Sequence, residues 1–138
     1  SGDDANKNDD IGTSSELNLS FGDTLYLHPN GTGGSPIVTI KLSGTENYKM
    51  CSIAMTFALR NHSKLGFIDG SCKRDNDNPA LANQWDLCNS VVVTWILNSL
   101  NRDLFADAIY TKTSYEMWND LREIYDKVDG FVVFNLLL

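Results

Sequence analysis

Few side chains in this sequence could carry out catalysis, and their spacing matches no known catalytic arrangement. Cys51 and His62 are the residue types of a thiol nucleophile and its general base. Cys51, however, falls on the apolar side of a predicted helix, where a thiol behaves as a small hydrophobic side chain. Asp69-Gly70-Ser71 has the composition of an aspartic-protease motif in the wrong order, and Asp-Gly is typical of a turn. The sequence therefore predicts that the protein is not an enzyme.

The cysteines and histidines also lack the spacing of a metal site. Cys51, Cys72 and Cys88 are an odd number, no Cys-x-x-Cys pair occurs, and His28 and His62 lie apart from all three. Zinc sites in small domains usually take their ligands from close pairs. Free thiols in a reducing cytoplasm are the expected state, and no metal or cofactor is predicted.

Loop composition and charge argue against nucleotide and nucleic-acid binding by this segment. The glycine-rich stretch 30–36 lacks the Gly-Lys-Ser/Thr ending of a phosphate-binding loop. Residues 1–36 contain six acidic side chains and one basic one, whereas residues 37–138 contain twelve acidic and ten basic ones. The body of the chain is therefore nearly balanced in charge and shows no basic stripe. Direct binding to RNA or DNA is not expected.

The length of 138 residues fits a single domain. The predicted domain spans 23–138 and follows a disordered acidic tail over 1–22. The tail opens on Ser1-Gly2 without an initiator methionine, which is typical of a cleaved tag. No window approaches the ~18 consecutive apolar residues of a membrane span.

The segment from Trp85 to Leu100 is predicted to form the central helix. Apolar side chains recur there at steps of three or four, which is the repeat of a helix with a buried face. Asn78 and Pro79 are typical of a helix cap and first position, so the helix is expected to run from there to about Leu100. Its expected buried residues are Leu81, Trp85, Leu87, Cys88, Val91, Val92, Trp95, Ile96 and Leu100.

Three shorter helices are predicted around this one, each beginning at a capping signal. Ser43 with Glu46 is a predicted capping box for a helix to about Arg60, and Thr113 with Glu116 is one for a helix to about Lys127. Asn101 is predicted to cap a helix from Arg102 to about Tyr110. Their expected buried residues are Tyr48, Cys51, Met55, Leu59, Leu104, Phe105, Ala108, Ile109, Tyr115, Trp118, Leu121 and Tyr125. The predicted fold class is all-α, a compact bundle of four to six short helices with an extended N-terminal arm.

Several apolar segments outside these helices are expected to contact the bundle. The arm at 25–27 could dock as an extended segment, and Phe67 and Ile68, between two glycines, should enter the core. Residues 37–42 have strand-like composition but no convincing partner strand. The last eight residues, 131–138, are almost wholly apolar and would be a liability if exposed. They either complete this core or pair with another chain.

Five segments resemble the Gag polyprotein of plant copia-type LTR retrotransposons. They are Asp23 to Pro29, Leu42 to Tyr48, Lys64 to Gly70, Trp85 to Leu100, and Ile109-Tyr110 with Glu116 to Leu121. Five segments in the family's order are a strong resemblance, because they share no general structural reason to occur together. The resemblance covers roughly residues 23–135.

The resemblance implies a retroviral-capsid-like structural domain that self-associates into virus-like particles around element RNA. It also implies that RNA is held only through a downstream zinc-knuckle region, which this sequence lacks. Cys51 stands where the family usually has tryptophan, so a small core residue replaces a large one. The family typically continues as a polar helix after Phe131, which indicates either an isolated capsid region or a truncated copy.

Two hypotheses of function follow. The first is a capsid protein that forms a homodimer or lattice and has no membrane contact. The second is a domesticated Gag-derived module that binds a host peptide or protein. An open apolar groove in a monomer would favour the second, and a self-complementary contact the first. The candidate core and assembly residues are Trp85, Trp95, Trp118, Tyr48, Phe67, Ile68, Phe131, Val132, Phe134, Leu136 and Leu137, with the arm Leu25, Tyr26 and Leu27.

Overall fold

The computed structural model describes residues 18–20, 23–29 and 36–126. Within these residues the chain forms five helices and no strand, so the predicted all-α class is confirmed. None of the helices is long and apolar enough to cross a membrane. The helices are α1 (Tyr48–Asn61), α2 (Gly66–Asp69), α3 (Pro79–Leu97), α4 (Arg102–Ala108) and α5 (Ser114–Tyr125), and a 3₁₀ turn (Thr45–Asn47) leads into α1.

The central helix is α3, and its start is where the capping signal predicts it. The Asn78 side chain accepts hydrogen bonds from the backbone amides of Ala80 (3.1 Å) and Leu81 (3.2 Å), which satisfies two donors of the first turn. Cys88 and Val92 on this helix are completely buried. The helix ends at Leu97, three residues before the predicted end, because the chain turns there to pair with residues 41–42.

The strand-like segment 37–42 pairs at a single point in the described structure. The amide of Leu42 donates to the carbonyl of Ser99 (2.7 Å), and the amide of Asn101 donates to the carbonyl of Leu42 (2.9 Å). Leu42 and Leu100 form an isolated parallel bridge and are both buried. The segment is therefore an extended stretch that runs along the helices and does not form part of a sheet, which agrees with the lack of a convincing partner strand in the sequence.

The predicted capping box at the start of α1 does not form. The Ser43 hydroxyl donates to a Glu46 carboxylate oxygen (2.8 Å) instead of accepting from a helix amide. The Asn47 side chain binds the preceding backbone twice, accepting from the amide of Ser43 and donating to the carbonyl of Lys41, both at 3.0 Å. These bonds hold a 3₁₀ turn, so α1 begins only at Tyr48.

The caps of the last two helices are confirmed. The Asn101 side chain accepts from the amide of Leu104 (3.0 Å), and the Thr113 hydroxyl accepts from the amide of Glu116 (3.1 Å). Helix α4 ends at Ala108, earlier than predicted, and α5 ends at Tyr125. Lys127, the predicted end of α5, lies outside the described residues.

Four residues predicted to be buried are exposed instead, because the buried face of each helix is narrower than predicted. Each lies about 100° around its helix from a residue that is buried. Tyr125 and Trp118 are half-buried, and the α5 face is completed by Met117, which the periodicity missed. The exposed residues are Leu87, Phe105, Ile109 and Tyr115.

Candidate functional site

The N-terminal arm 25–27 docks against α3 through backbone carbonyls. The carbonyl of Leu25 accepts from the Gln84 side-chain amide (2.8 Å) and from the Cys88 thiol (3.2 Å). The carbonyl of Tyr26 accepts from the ammonium of Lys64. Leu25 and Leu27 also pack on the apolar core. The arm is thus attached at three points to two separate parts of the chain.

Lys64 is the least expected member of this attachment, because its side chain is only 2% exposed. Its ammonium donates to the carbonyl of Tyr26 and to the carbonyl of His62 (3.3 Å). Burial disfavours the charged form and lowers the pKa of Lys64, although the nearby thiols of Cys88 and Cys72 act in the opposite direction. Lys64 therefore clamps the arm, and sequence reasoning missed it because lysine rarely lies in a core.

Most residues of the segment from Lys64 to Gly70 have a clear structural role. Phe67 and Ile68 enter the core as predicted. A Cβ at Gly66 would lie 2.9 Å from the Ser71 hydroxyl and 3.0 Å from the Cys72 Cβ, so a larger residue there would force these neighbours to shift. Gly70 ends α2 with φ of +84°, in the left-handed region, where its Cα lies beside the ring of Tyr115.

We expect Gly70→Ala to destabilise the domain by about 1–2 kcal/mol, because alanine is strained at this φ. The new Cβ would also lie 3.0 Å from the Tyr115 ring. Urea denaturation of the variant measures the loss. The matched variant Gly70→Asn should lose less, since asparagine tolerates the left-handed region. Equal losses for the two variants would show that the ring contact, and not φ, sets the requirement.

Trp85, on α3, contacts the segment that follows α2. Its indole nitrogen donates to the carbonyl of Cys72 (3.0 Å), and its ring packs on Phe67 with centroids 5.2 Å apart. Arg74 adds a bidentate ion pair to Asp86 at 2.9 and 3.0 Å, on the surface of the same region. Trp85 therefore seals the edge of the core while keeping its polar nitrogen satisfied.

Asn89 is the centre of a buried polar network that sequence reasoning missed. Its side-chain oxygen accepts from the amide and the hydroxyl of Ser114, both at 2.9 Å, and its nitrogen donates to the carbonyl of Lys112 (3.1 Å). The Ser114 hydroxyl also lies 3.3 Å from the carbonyl of Phe67. This network ties α2, α3 and α5 together. A signal was present, because an amide follows Cys88 inside an otherwise apolar helix face.

The structure separates the residues considered for thiol chemistry. Cys51 and His62 are eleven residues apart along α1 and its cap, roughly 16 Å along the axis. The Cys51 thiol faces the carbonyl of Ile40 (3.8 Å), while the His62 ring packs on Trp95 with centroids 4.6 Å apart. Burial raises the pKa of the thiols of Cys51, Cys72 and Cys88, in the last case to about 11. No group of three or more metal-ligating side chains occurs among the described residues.

The Cys88 thiol makes a pH-dependent contribution to stability. It ionises near pH 9 in the unfolded chain and near pH 11 in the folded one, since burial favours the neutral form. Its contribution is complete below pH 9 and is lost as the pH rises to 11, a loss of about 2 kcal/mol. The free energy of unfolding measured between pH 8 and pH 11 should fall by that amount more in the wild type than in Cys88→Ser. Parallel pH profiles would contradict this assignment.

An exposed apolar surface lies on the outer side of α1. Met50, Ile53 and Phe57 are 51%, 51% and 59% exposed, although all three are large and apolar. Their spacing of three and four residues places them on one face. Ile40, 48% exposed, lines an adjoining groove of about 390 Å³ with Met50 and Phe57. Sequence periodicity did not identify this surface.

The structure places the predicted core and assembly residues in three groups. Tyr48, Phe67, Ile68 and Trp95 are buried. Trp85, Trp118, Leu25 and Leu27 are half-buried and pack on the core, and Tyr26 is half-buried. The remaining candidates, Phe131, Val132, Phe134, Leu136 and Leu137, lie outside the described residues.

Comparison with known proteins gives one finding. A family model described as Gag-polypeptide of LTR copia-type matches residues 28–74, which include α1 and the Lys64 to Gly70 segment. No curated protein and no solved structure matches the chain. The resemblance to copia-type Gag is therefore confirmed over this range. Residues 28–74 of this chain match the Gag polypeptide of LTR copia-type retrotransposons, a family of structural, non-catalytic proteins.

Proposed function

We propose that this chain is the self-associating, capsid-type domain of a copia-type Gag protein, which forms virus-like particles around element RNA. The observation that carries the proposal is the exposed apolar face of α1, formed by Met50, Ile53 and Phe57. Contiguous exposed apolar surface is costly in a monomer and is typical of a protein–protein contact. The match to a structural family supports the same role.

A shell requires more than one contact per subunit, because a single twofold contact closes as a dimer. A second apolar surface is present at the end of α4, where Phe105, Ile109 and Tyr110 are exposed. Tyr110 is 84% exposed, the largest fraction among the large apolar side chains described. Two distinct surfaces, each weak alone, would let multivalency hold a lattice together.

The proposal assigns no catalysis to this chain. The three cysteines have raised pKa values, so little reactive thiolate forms near neutral pH. RNA is assigned to another part of the parent Gag, since the charge of residues 37–138 is nearly balanced.

Recognition of a host peptide is a second candidate function. The groove of about 390 Å³ beside α1, lined by Ile37, Val38, Ile40, Met50 and Phe57 among others, favours it. A peptide with two or three apolar anchors would fit such a groove. Peptide binding and assembly would use neighbouring surfaces. The association state of the free protein distinguishes the two functions.

Electron microscopy of the purified chain at increasing protein concentration tests assembly. We expect ordered sheets, tubes or shells at high concentration, with or without added RNA, because the proposed contacts join protein to protein. Uniformly small particles at every concentration and salt would contradict the assembly role and favour peptide binding.

A further inference from the structure

Five residues on the outer side of α1 and the turn before it form a continuous seam. Glu46, Met50, Ile53, Phe57 and Arg60 follow one another at steps of four, three, four and three. Glu46, Met50 and Ile53 line the same surface groove, which confirms that the turn and the helix share this side. We call these five residues the α1 seam.

The opposite side of α1 packs in the core. Tyr48, Cys51, Met55 and Leu59 are buried there. The helix is therefore apolar on two sides, and a helix of this kind is normally covered on both. The alternation of three and four residues is the repeat of a helix that pairs with another helix at a crossing angle of about 20°.

Within the seam only the two end residues are charged, and their opposite signs favour one orientation of a second copy. Glu46 lies at one end and Arg60 at the other, and both are exposed. The Ser43 hydroxyl holds the Glu46 carboxylate by a 2.8 Å hydrogen bond. A second copy of α1 running parallel would place like charges together at both ends. An antiparallel copy would place Glu46 of one chain beside Arg60 of the other at each end of the seam. The two ends lie roughly 21 Å apart along the helix axis.

We propose that α1 pairs antiparallel with α1 of a second copy of this chain, around a twofold axis at Ile53. Ile53 then meets Ile53 of the second copy, and Met50 packs against Phe57 of that copy on either side. The contact is self-complementary and closed by its symmetry. The inference depends on the proposed self-association and names the surface that carries it.

Charge reversal tests the orientation, with sedimentation equilibrium of the full chain as the measurement. Glu46→Lys and Arg60→Glu should each weaken dimerisation about tenfold, since each change creates repulsion at both ends of a symmetric contact. The double variant restores opposite charges and should return to within about threefold of the wild type. Glu123→Lys, which makes the same change of charge on α5, should leave dimerisation unchanged.

The apolar centre is tested by Phe57→Asp. Because the substitution is present on both chains of the dimer, the dissociation constant should rise about a hundredfold or more. Leu87→Asp on α3 is the matched control, since Leu87 is 57% exposed and Phe57 59%. Circular dichroism of each variant establishes that the helices are retained.

The outcomes separate this inference from the proposed function. A dimer that is indifferent to both charge reversals and to Phe57→Asp would overturn the α1 pairing while leaving self-association intact. A double charge variant no better than the single ones would overturn the antiparallel orientation. A strict monomer at all concentrations would contradict both, and would mean that another occupant, such as residues 131–138 or a foreign peptide, covers the seam.

Discussion

Replacing Asn89 with alanine is expected to destabilise the domain by about 3 kcal/mol or more, because the change removes the hydrogen bonds to the segment 112–114 and leaves the buried amide of Ser114 without its acceptor. The amide of Ser114 loses its acceptor and the carbonyl of Lys112 loses the Asn89 donor, while the hydroxyl of Ser114 retains the carbonyl of Phe67 at 3.3 Å. In the described part of the chain, no buried side-chain nitrogen or oxygen otherwise lacks a partner. The thermal midpoint should fall on the order of 10 °C or more.

The control for Asn89→Ala is Asn83→Ala, on the exposed side of the same helix. It makes the same chemical change and should shift stability by less than about 0.5 kcal/mol. Thermal and urea unfolding of both variants provide the measurement. A loss below about 1 kcal/mol in Asn89→Ala would mean that the network does not hold α5 to α3.

Lys64→Met is expected to release the N-terminal arm while leaving the helices folded. Methionine keeps most of the apolar length of lysine but cannot donate to the carbonyls of Tyr26 and His62. Hydrogen bonds from a charged donor contribute about 1.5–3 kcal/mol, so the detached state of the arm should become roughly ten- to a hundredfold more populated. Chymotrypsin cleavage at Tyr26 should accelerate by the same factor.

Lys112→Met serves as the control for the arm experiment, because it makes the same chemical change at an exposed lysine. Cleavage at Tyr26 should be unchanged in this variant. If Lys64→Met also leaves the cleavage rate unchanged, the arm is held by Gln84 and Cys88 alone.

The helices could be predicted from local signals because their caps and periodicity are short-range. Asn78, Asn101 and Thr113 each cap the helix that the sequence assigned to them. The Ser43 cap was wrong because a neighbouring residue in the turn, Asn47, binds the backbone at 41 and 43, and the Ser43 hydroxyl donates to Glu46 instead of accepting from a helix amide. Local patterns do not reveal which of two competing hydrogen-bond arrangements will form.

The polar contacts between segments could not be predicted, since they join residues far apart in the sequence. Lys64 reaches Tyr26 across 38 residues, and Asn89 reaches Ser114 across 25. A buried lysine or asparagine is rare enough that composition argues against it. The exposed face of α1 was missed for a similar reason, because Phe57 has the residue type of a core position and only tertiary packing leaves it outside.

Cys51 is buried, as the periodicity of the predicted helix indicated. The sequence indicated that a small side chain stands where the resembling family has a large one. In the structure Cys51 lines a small cavity of about 20 Å³ together with Met55 and Ile96, among others. A space of this size is near that of one water molecule, and α1 still packs on the core through Cys51, Met55 and Leu59.

The association state of the free chain is the most direct test of the assembly role. Light scattering on a sizing column, over a hundredfold range of protein concentration and at low and high salt, measures its mass. We expect the mass to rise with concentration from monomer to dimer and beyond, and the association to persist at high salt because the α1 seam is mainly apolar. A constant monomer mass under all these conditions would contradict self-association and favour a peptide-binding module.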